Sequence, residues 1–179
     1  MDKITREQIK KEALKFYETA HIVLTDAEKE NLEVADFGLG DIRQIGLEII
    51  TYVNTKKCCA KEMVLLPGQL CPEHRHAPMA DIKYDGKEET FRCRYGEVYL
   101  YVEGEATASP AFMPSEKYKP YMTVWHEVKL LPGEQYTIYP NARHWFASGK
   151  TGAVISEFST TSYDEYDIFT DPNIVRVEK

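Results

Sequence analysis

Apolar residues recur at helical spacing over the first forty positions and at alternating positions from about residue 45 onward. Thr5-Arg6-Glu7-Gln8 has the form of a capping box, with Thr5 as N-cap, ahead of Ile9, Ala13, Phe16 and Ala20 at helical spacing. This predicts a helix running to about Thr19. Thr25-Asp26-Ala27-Glu28 repeats the box and predicts one short helix before Gly38 and Gly40 end helical character. Ile45, Leu47, Ile49, Thr51 and Val53 then alternate with Gln44, Gly46 and Glu48, the period of a half-buried strand. Further β-like runs cover 59–66, 88–95, 97–103, 122–131, 135–139 and 153–160, separated by Pro-Gly, Gly-Glu and Lys-Thr-Gly breakers, with a chain reversal expected at Gly96. Residues 77–87 and 109–121 show no period and read as loops. A mainly β chain of many short strands implies a sandwich or barrel, here preceded by one or two helices.

Composition narrows the class. A chain of 179 residues is about one domain long. We expect a single domain over 1–179, with a helical segment over 1–40, a β-barrel over 41–160 and a tail over 161–179 packed on the barrel. No apolar run approaches the roughly 18 residues of a membrane span, and the charged N-terminus lacks a signal-peptide core, so a soluble cytoplasmic protein is expected. A net charge of -7 argues against nucleic acid as a partner and leaves a small neutral ligand open. Cys58, Cys59, Cys71 and Cys93 lack the paired spacing of structural zinc, and read as free thiols.

The candidate chemistry lies between Gly68 and Gly96. His74 and His76, one residue apart, share a face if the backbone is extended, so both imidazoles can grip one ion. Glu89 opens the next alternating run and offers a carboxylate. A run beginning at Gly133 ends in Pro140-Asn141-Ala142-Arg143-His144, which offers a third imidazole. Three histidines and a glutamate leave two positions open on a six-coordinate divalent ion, and such mixed donors suit Mn, Fe, Co, Ni or Zn.

Gly68-x5-His74-x-His76 followed by Glu89-x6-Gly96 resembles the first cupin motif, and Gly133-x6-Pro140-x3-His144 resembles the second. Twelve residues separate His76 from Glu89 where many cupins have three or four, and Ala142 stands where many have glycine. GKEETFRCRYGEVYLYVEG, LLPGEQYTIYPNARHWF and SEFSTTSYDEYDIFTDPNIVR resemble, more closely, the D-lyxose isomerase family of cupins. The resemblance implies a cupin-type double-stranded β-helix, or jelly-roll barrel. It also implies a homodimeric, manganese-dependent ketol-isomerase interconverting D-lyxose with D-xylulose and, in many members, D-mannose with D-fructose. His74, His76, Glu89 and His144 take the metal-ligand places, while Lys87 and Glu157 resemble the family's acid/base residues.

Two open positions are what sugar oxygens on C1 and C2 need to chelate, and a bound ion would stabilise an enediolate. Glu157, on an apolar strand between Ile155 and Ser159, is the candidate base, and Lys87 the candidate acid or oxyanion stabiliser. In the acidic tail cluster of Asp164, Glu165 and Asp167, Asp167 is a candidate for binding sugar hydroxyls. The same ligand set also serves dioxygenases and oxalate-degrading enzymes, and a sugar-binding cupin without turnover is a third reading. Lys87 and Glu157 at the metal would single out the isomerase.

Overall fold

Two helices lead the chain in the computed structural model, which describes residues 1–176. The first, α1 (Lys3–Thr19), is capped by Asp2 and not by Thr5. Asp2 Oδ1 accepts the Thr5 N–H at 3.0 Å and Oδ2 accepts the Thr5 hydroxyl at 2.6 Å. A carboxylate three residues upstream is an acceptor for the free amides of the first turn, which makes Thr5 the third helical residue. The second helix, α2 (Asp26–Glu30), starts at the expected box. Thr25 Oγ1 accepts the Glu28 N–H at 3.2 Å and Glu28 Oε2 accepts the Thr25 N–H at 2.7 Å.

Nine strands follow among the described residues: β1 (Glu33–Ala35), β2 (Leu47–Asn54), β3 (Cys59–Leu65), β4 (Leu70–Arg75), β5 (Glu89–Val102), β6 (His126–Leu130), β7 (Gln135–Ile138), β8 (His144–Ser159) and β9 (Ile168–Phe169). Their ladders are antiparallel. The alternation missed β1 and β9, which are too short to show a period, and also β4 and the first half of β8, which are buried on both faces and therefore do not alternate.

The expected reversal at Gly96 does not occur. β5 runs straight through it and pairs with β8 from Glu89↔Ser159 to Val102↔His144, with register slips between Cys93 and Tyr95 and between Gly96 and Val98. Gly96 has φ 73°, and a Cβ there would lie 2.0 Å from the Gly152 carbonyl oxygen of β8. The left-handed residue makes a bulge, which bends a strand without ending it, and glycine lets the two backbones touch at the bend.

That bend folds the sheet. On one side of it, the first half of β5 and the second half of β8 join β7, β3, β2 and β1; on the other, the remaining halves join β6, β4 and β9. The two halves face each other as a cupin-type jelly roll. Met63, Phe91, Leu100, Tyr101, Trp145 and Phe146 fill the space between them, with Tyr101 stacked on Trp145 at 3.9 Å. A second core lies outside, where Ile9, Ala13 and Tyr17 of α1 cover Ile50, Val64 and Val154.

Glu48 of β2 is fully buried in this outer layer. Its Oε1 accepts Gln69 Nε2–H at 3.1 Å, while Oε2 has no partner. Burial pushes its carboxyl up from 4.5 to about 8. The folded state therefore holds a proton that the unfolded chain releases. The stability tied to it is complete below pH 4.5 and falls through the window up to about pH 8, by about 1.4 kcal/mol per pH unit. Urea unfolding of Glu48→Gln should show the variant gaining on the wild type as pH rises from 5 to 8. Parallel stability profiles would show that Glu48 does not hold this proton.

Candidate active site

Glu89 and His144 belong to opposite ends of the β5–β8 ladder, about 40 Å apart if the strands were flat. The bend brings His144 Nε2 to 2.9 Å from Glu89 Oε1. His74 of β4 is the register partner of His144, and His76 follows directly after β4, its Nε2 3.3 Å from the same Glu89 oxygen. The candidate ligand atoms of His74, His76 and His144 all lie within 4.8 Å of one another, and all three residues are buried.

Each ring is held from behind. His74 Nδ1 lies 2.8 Å from the Pro72 carbonyl and His144 Nδ1 3.0 Å from the Ala142 carbonyl. A carbonyl only accepts, so each Nδ1 carries the hydrogen and each Nε2 presents a lone pair. His144 Nε2 is buried without a hydrogen-bond partner. Close as it is to Glu89 Oε1, this is one lone pair facing another, and a cation between them removes the conflict. His76 Nδ1 is 2.5 Å from Asp167 Oδ1, the carboxylate support often found behind a metal-ligating imidazole.

The electrostatics also favour positive charge. Burial works against a charged His76, yet Glu89 and Asp167 outweigh it and raise the ring to about 9. Burial and the neighbouring rings His144 and His76 lower His74. Glu89 is opposed by burial but held well below the carboxylate range by Lys87 and His76. Three nitrogens and a carboxylate oxygen in this arrangement fit a divalent transition metal.

Lys87 stands just before β5, with Nζ 2.6 Å from Glu89 Oε2 and 2.7 Å from Glu157 Oε1. Burial works against its ammonium, but Glu157 and Glu89 dominate and keep it protonated. Glu157, on β8 across from Phe91, also accepts the Ser159 hydroxyl at 3.0 Å. All six candidates from the two motifs and the acid/base pair thus converge, and His74, His76, Lys87, Glu89, Glu157 and Asp167 line one cavity.

The long connection between His76 and Lys87 returns on itself. Met79 and Tyr84 exchange backbone hydrogen bonds of 2.8 and 3.0 Å around a 3₁₀ turn, Ala80–Ile82. At its neck Gly86 has φ 98°, and a Cβ there would lie 2.6 Å from the His76 carbonyl oxygen. That oxygen also accepts Asn141 N–H at 3.1 Å. Asn141, and not Ala142, takes the left-handed conformation, so the alanine in the second motif is accommodated.

Two charged cavity residues went unnoticed in the sequence. Lys61 of β3 lies opposite Glu157, is 5% exposed, and donates to both oxygens of Asp164 at 2.9 Å. Its signal was present: Cys59, Lys61, Met63 and Leu65 share one face, so a lysine among core positions needed a partner. Arg176 donates to Asp164 at 3.3 Å and to Glu33, but its distance in sequence gave no signal. Tyr84 and Tyr118 hydroxyls are spent on the Thr161 carbonyl and on Asp41. His126, hydrogen-bonded to the Glu105 carbonyl, is not part of the cavity lining.

A jelly roll closed around converging imidazole lone pairs places the chain among the cupin-type enzymes. Residues 11–179 match the family profile described as D-lyxose isomerase. The chain is 56% identical over 177 residues to the D-lyxose/D-mannose isomerase of Thermosediminibacter oceani, with 97% of each chain covered. It is 57% identical over 178 residues to the D-lyxose ketol-isomerase of a Thermofilum species, again with 97% of each covered. Among solved structures, the L-ribose isomerase of Acinetobacter sp. DL28 superposes with a TM-score of 0.80 at 14% identity, over 97% of this chain and 94% of that one. That of Cellulomonas parahominis gives 0.76 at 15%, with the same coverage. The chain belongs to the D-lyxose isomerase family, and it is a sugar isomerase.

Gly86→Ala should cost about 1–3 kcal/mol of unfolding free energy and lower metal content, because the new methyl presses on the carbonyl next to a candidate ligand. Gly40→Ala, at φ 67° with nothing within 4 Å, should cost only the backbone term of about 1–2 kcal/mol and leave metal content unchanged. Chemical denaturation and metal analysis of both purified variants check this; equal metal content in the two would contradict it.

Proposed function

We propose that the enzyme interconverts D-lyxose with D-xylulose, and D-mannose with D-fructose, by proton transfer through a cis-enediolate, using one divalent ion. His74, His76, Glu89 and His144 would hold that ion, with Mn²⁺ the expected metal and Co²⁺ a substitute. The names of the relatives support the sugars. The observation that carries the chemistry is the unbroken contact from Glu89 through Lys87 to Glu157, which joins the ligand set to an acid/base pair. The resemblance to the family supports a homodimer.

A divalent ion at this site supplies a Lewis acid for the sugar's C1 and C2 oxygens. Glu157 takes the proton from one carbon and returns it to the other. Its contacts with Lys87 and Ser159 both fall on Oε1, which leaves Oε2 for the substrate. The Lys87 ammonium stabilises the charge that develops on the sugar oxygens, and its 2.7 Å contact with Glu157 lets the two groups share a proton. Asp167 orients His76 with one oxygen, and the other is available to a sugar hydroxyl. An oxygenase for acidic substrates would need a free arginine, whereas Arg176 in this cavity is already paired with Asp164 and Glu33.

Glu157→Gln and Lys87→Met should each cut turnover by roughly a hundredfold or more while keeping metal near the wild-type level. His76→Ala and Glu89→Ala should lose metal and activity together. Assays with D-lyxose and D-mannose beside metal analysis check both statements, and a Glu89→Ala protein with its full metal complement would remove Glu89 from the ligand set.

Turnover of either aldose in D₂O should place deuterium at C1 of the ketose, read by proton NMR, because an abstracted proton on Glu157 exchanges with solvent. Ketose formed at full rate without deuterium at several pD values would favour a direct hydride shift over the enediolate path.

A further inference from the structure

Asp167 lies midway between two buried attachments of the segment that carries it. Three residues before it, Asp164 receives Lys61 Nζ on both carboxylate oxygens at 2.9 Å, and Lys61 also donates to Ser162 Oγ at 3.1 Å. Three residues after it, the Thr170 hydroxyl donates to Glu73 Oε1 at 2.5 Å, and Thr170 N–H donates to the Glu73 carbonyl at 3.0 Å. Glu73 is 1% exposed and is itself fixed by Thr123 N–H at 2.5 Å, Thr123 Oγ1 at 2.7 Å and Val124 N–H at 3.0 Å. Between the attachments the chain makes one 3₁₀ turn, Asp164–Tyr166, and then pairs as β9 with β4, Phe169 opposite His74. Residues from one strand of each half-sheet therefore grip the segment on either side of the carboxylate that meets His76 Nδ1.

We propose that Lys61 and Glu73 are positioning residues that hold Asp167 against His76 and so fix that ring as a ligand. The inference rests on the reading of His76 as a metal ligand. Neither residue is placed to bind substrate through spare hydrogen-bonding capacity: the Lys61 ammonium has donors on Ser162 and both Asp164 oxygens, and Glu73 accepts from four groups. What they control is the place of Asp167. An imidazole that loses its carboxylate support loses both orientation and donor strength, typically about 10–100-fold in metal affinity or activity.

The test uses the full-length protein loaded with Co²⁺, whose visible absorption reports ligand geometry, with affinity measured by chelator competition. Lys61→Met should weaken Co²⁺ binding by about 10–100-fold and change the spectrum in the same way as Asp167→Asn. Thr170→Val, which removes one hydroxyl and keeps the backbone bond, should cause a smaller change of the same kind. Combined with Asp167→Asn, either substitution should add no further loss, since both act through that carboxylate. Wild-type affinity and spectrum in both single variants, or losses that multiply in the double variants, would overturn the proposal. If Lys61→Met does not fold, Thr170→Val decides: an unchanged affinity and spectrum overturns it. Undiminished Co²⁺ binding by His76→Ala would instead remove the metal-site reading on which the inference stands.

Discussion

The close approach of β5 and β8 at Gly96 and Gly152 is the constraint on which the rest of the molecule depends. Two strands paired along their whole length would form a flat ladder with Glu89 at one end and His144 at the other. A bulge at a left-handed glycine, facing a second glycine, lets the ladder fold while both strands keep their hydrogen bonds. The fold creates two facing half-sheets, a dry interior between them, and an end where residues from β4, β5 and β8 meet.

That end concentrates charge in a place where charge is costly. Glu89, Lys87 and Glu157 are each no more than 3% exposed, and Lys61 is only slightly more so. Desolvating ions is offset only where each finds a partner of opposite sign at hydrogen-bond distance. The structure meets this by alternation: Glu89, Lys87 and Glu157 in one row, Lys61, Asp164, Arg176 and Glu33 in another. Removing one partner of such a pair costs about 3–5 kcal/mol, so these groups keep tightly defined positions. The exception is the His144 lone pair facing Glu89, and the mismatch falls at the centre of the candidate ligand set.

The C-terminal segment belongs to this same economy of buried charge. Asp164 neutralises Lys61, Asp167 supports His76, and Thr170 completes the set of donors around Glu73, so the acidic cluster of the tail is built into the wall of the cavity. Tail, barrel and ligand set are one hydrogen-bonded unit. This explains how a short 3₁₀ turn and a two-residue strand hold their places with little apolar burial of their own.

Local pattern carried the sequence reading far. Alternation located most strands, the Thr25 box located α2, and the histidine spacing exposed the candidate metal site, because period and motif depend on near neighbours alone; Lys87 and Glu157 stood out only through the resemblance to the family. Most of the failures share one cause. Gly96 reads equally well as a turn or a bulge until the opposing strand is known, and it is Gly152, far away in sequence, that decides. Asp2 displaced Thr5 as N-cap because two acceptors competed for one set of amides. Glu73 and Arg176 act through partners separated from them by long stretches of chain, and no local rule reports such partners. The sequence by itself determined which chemical groups this protein possesses and which short segments present them. Only the tertiary structure decided which of those groups meet, because their contacts are made by a sheet folding over on itself.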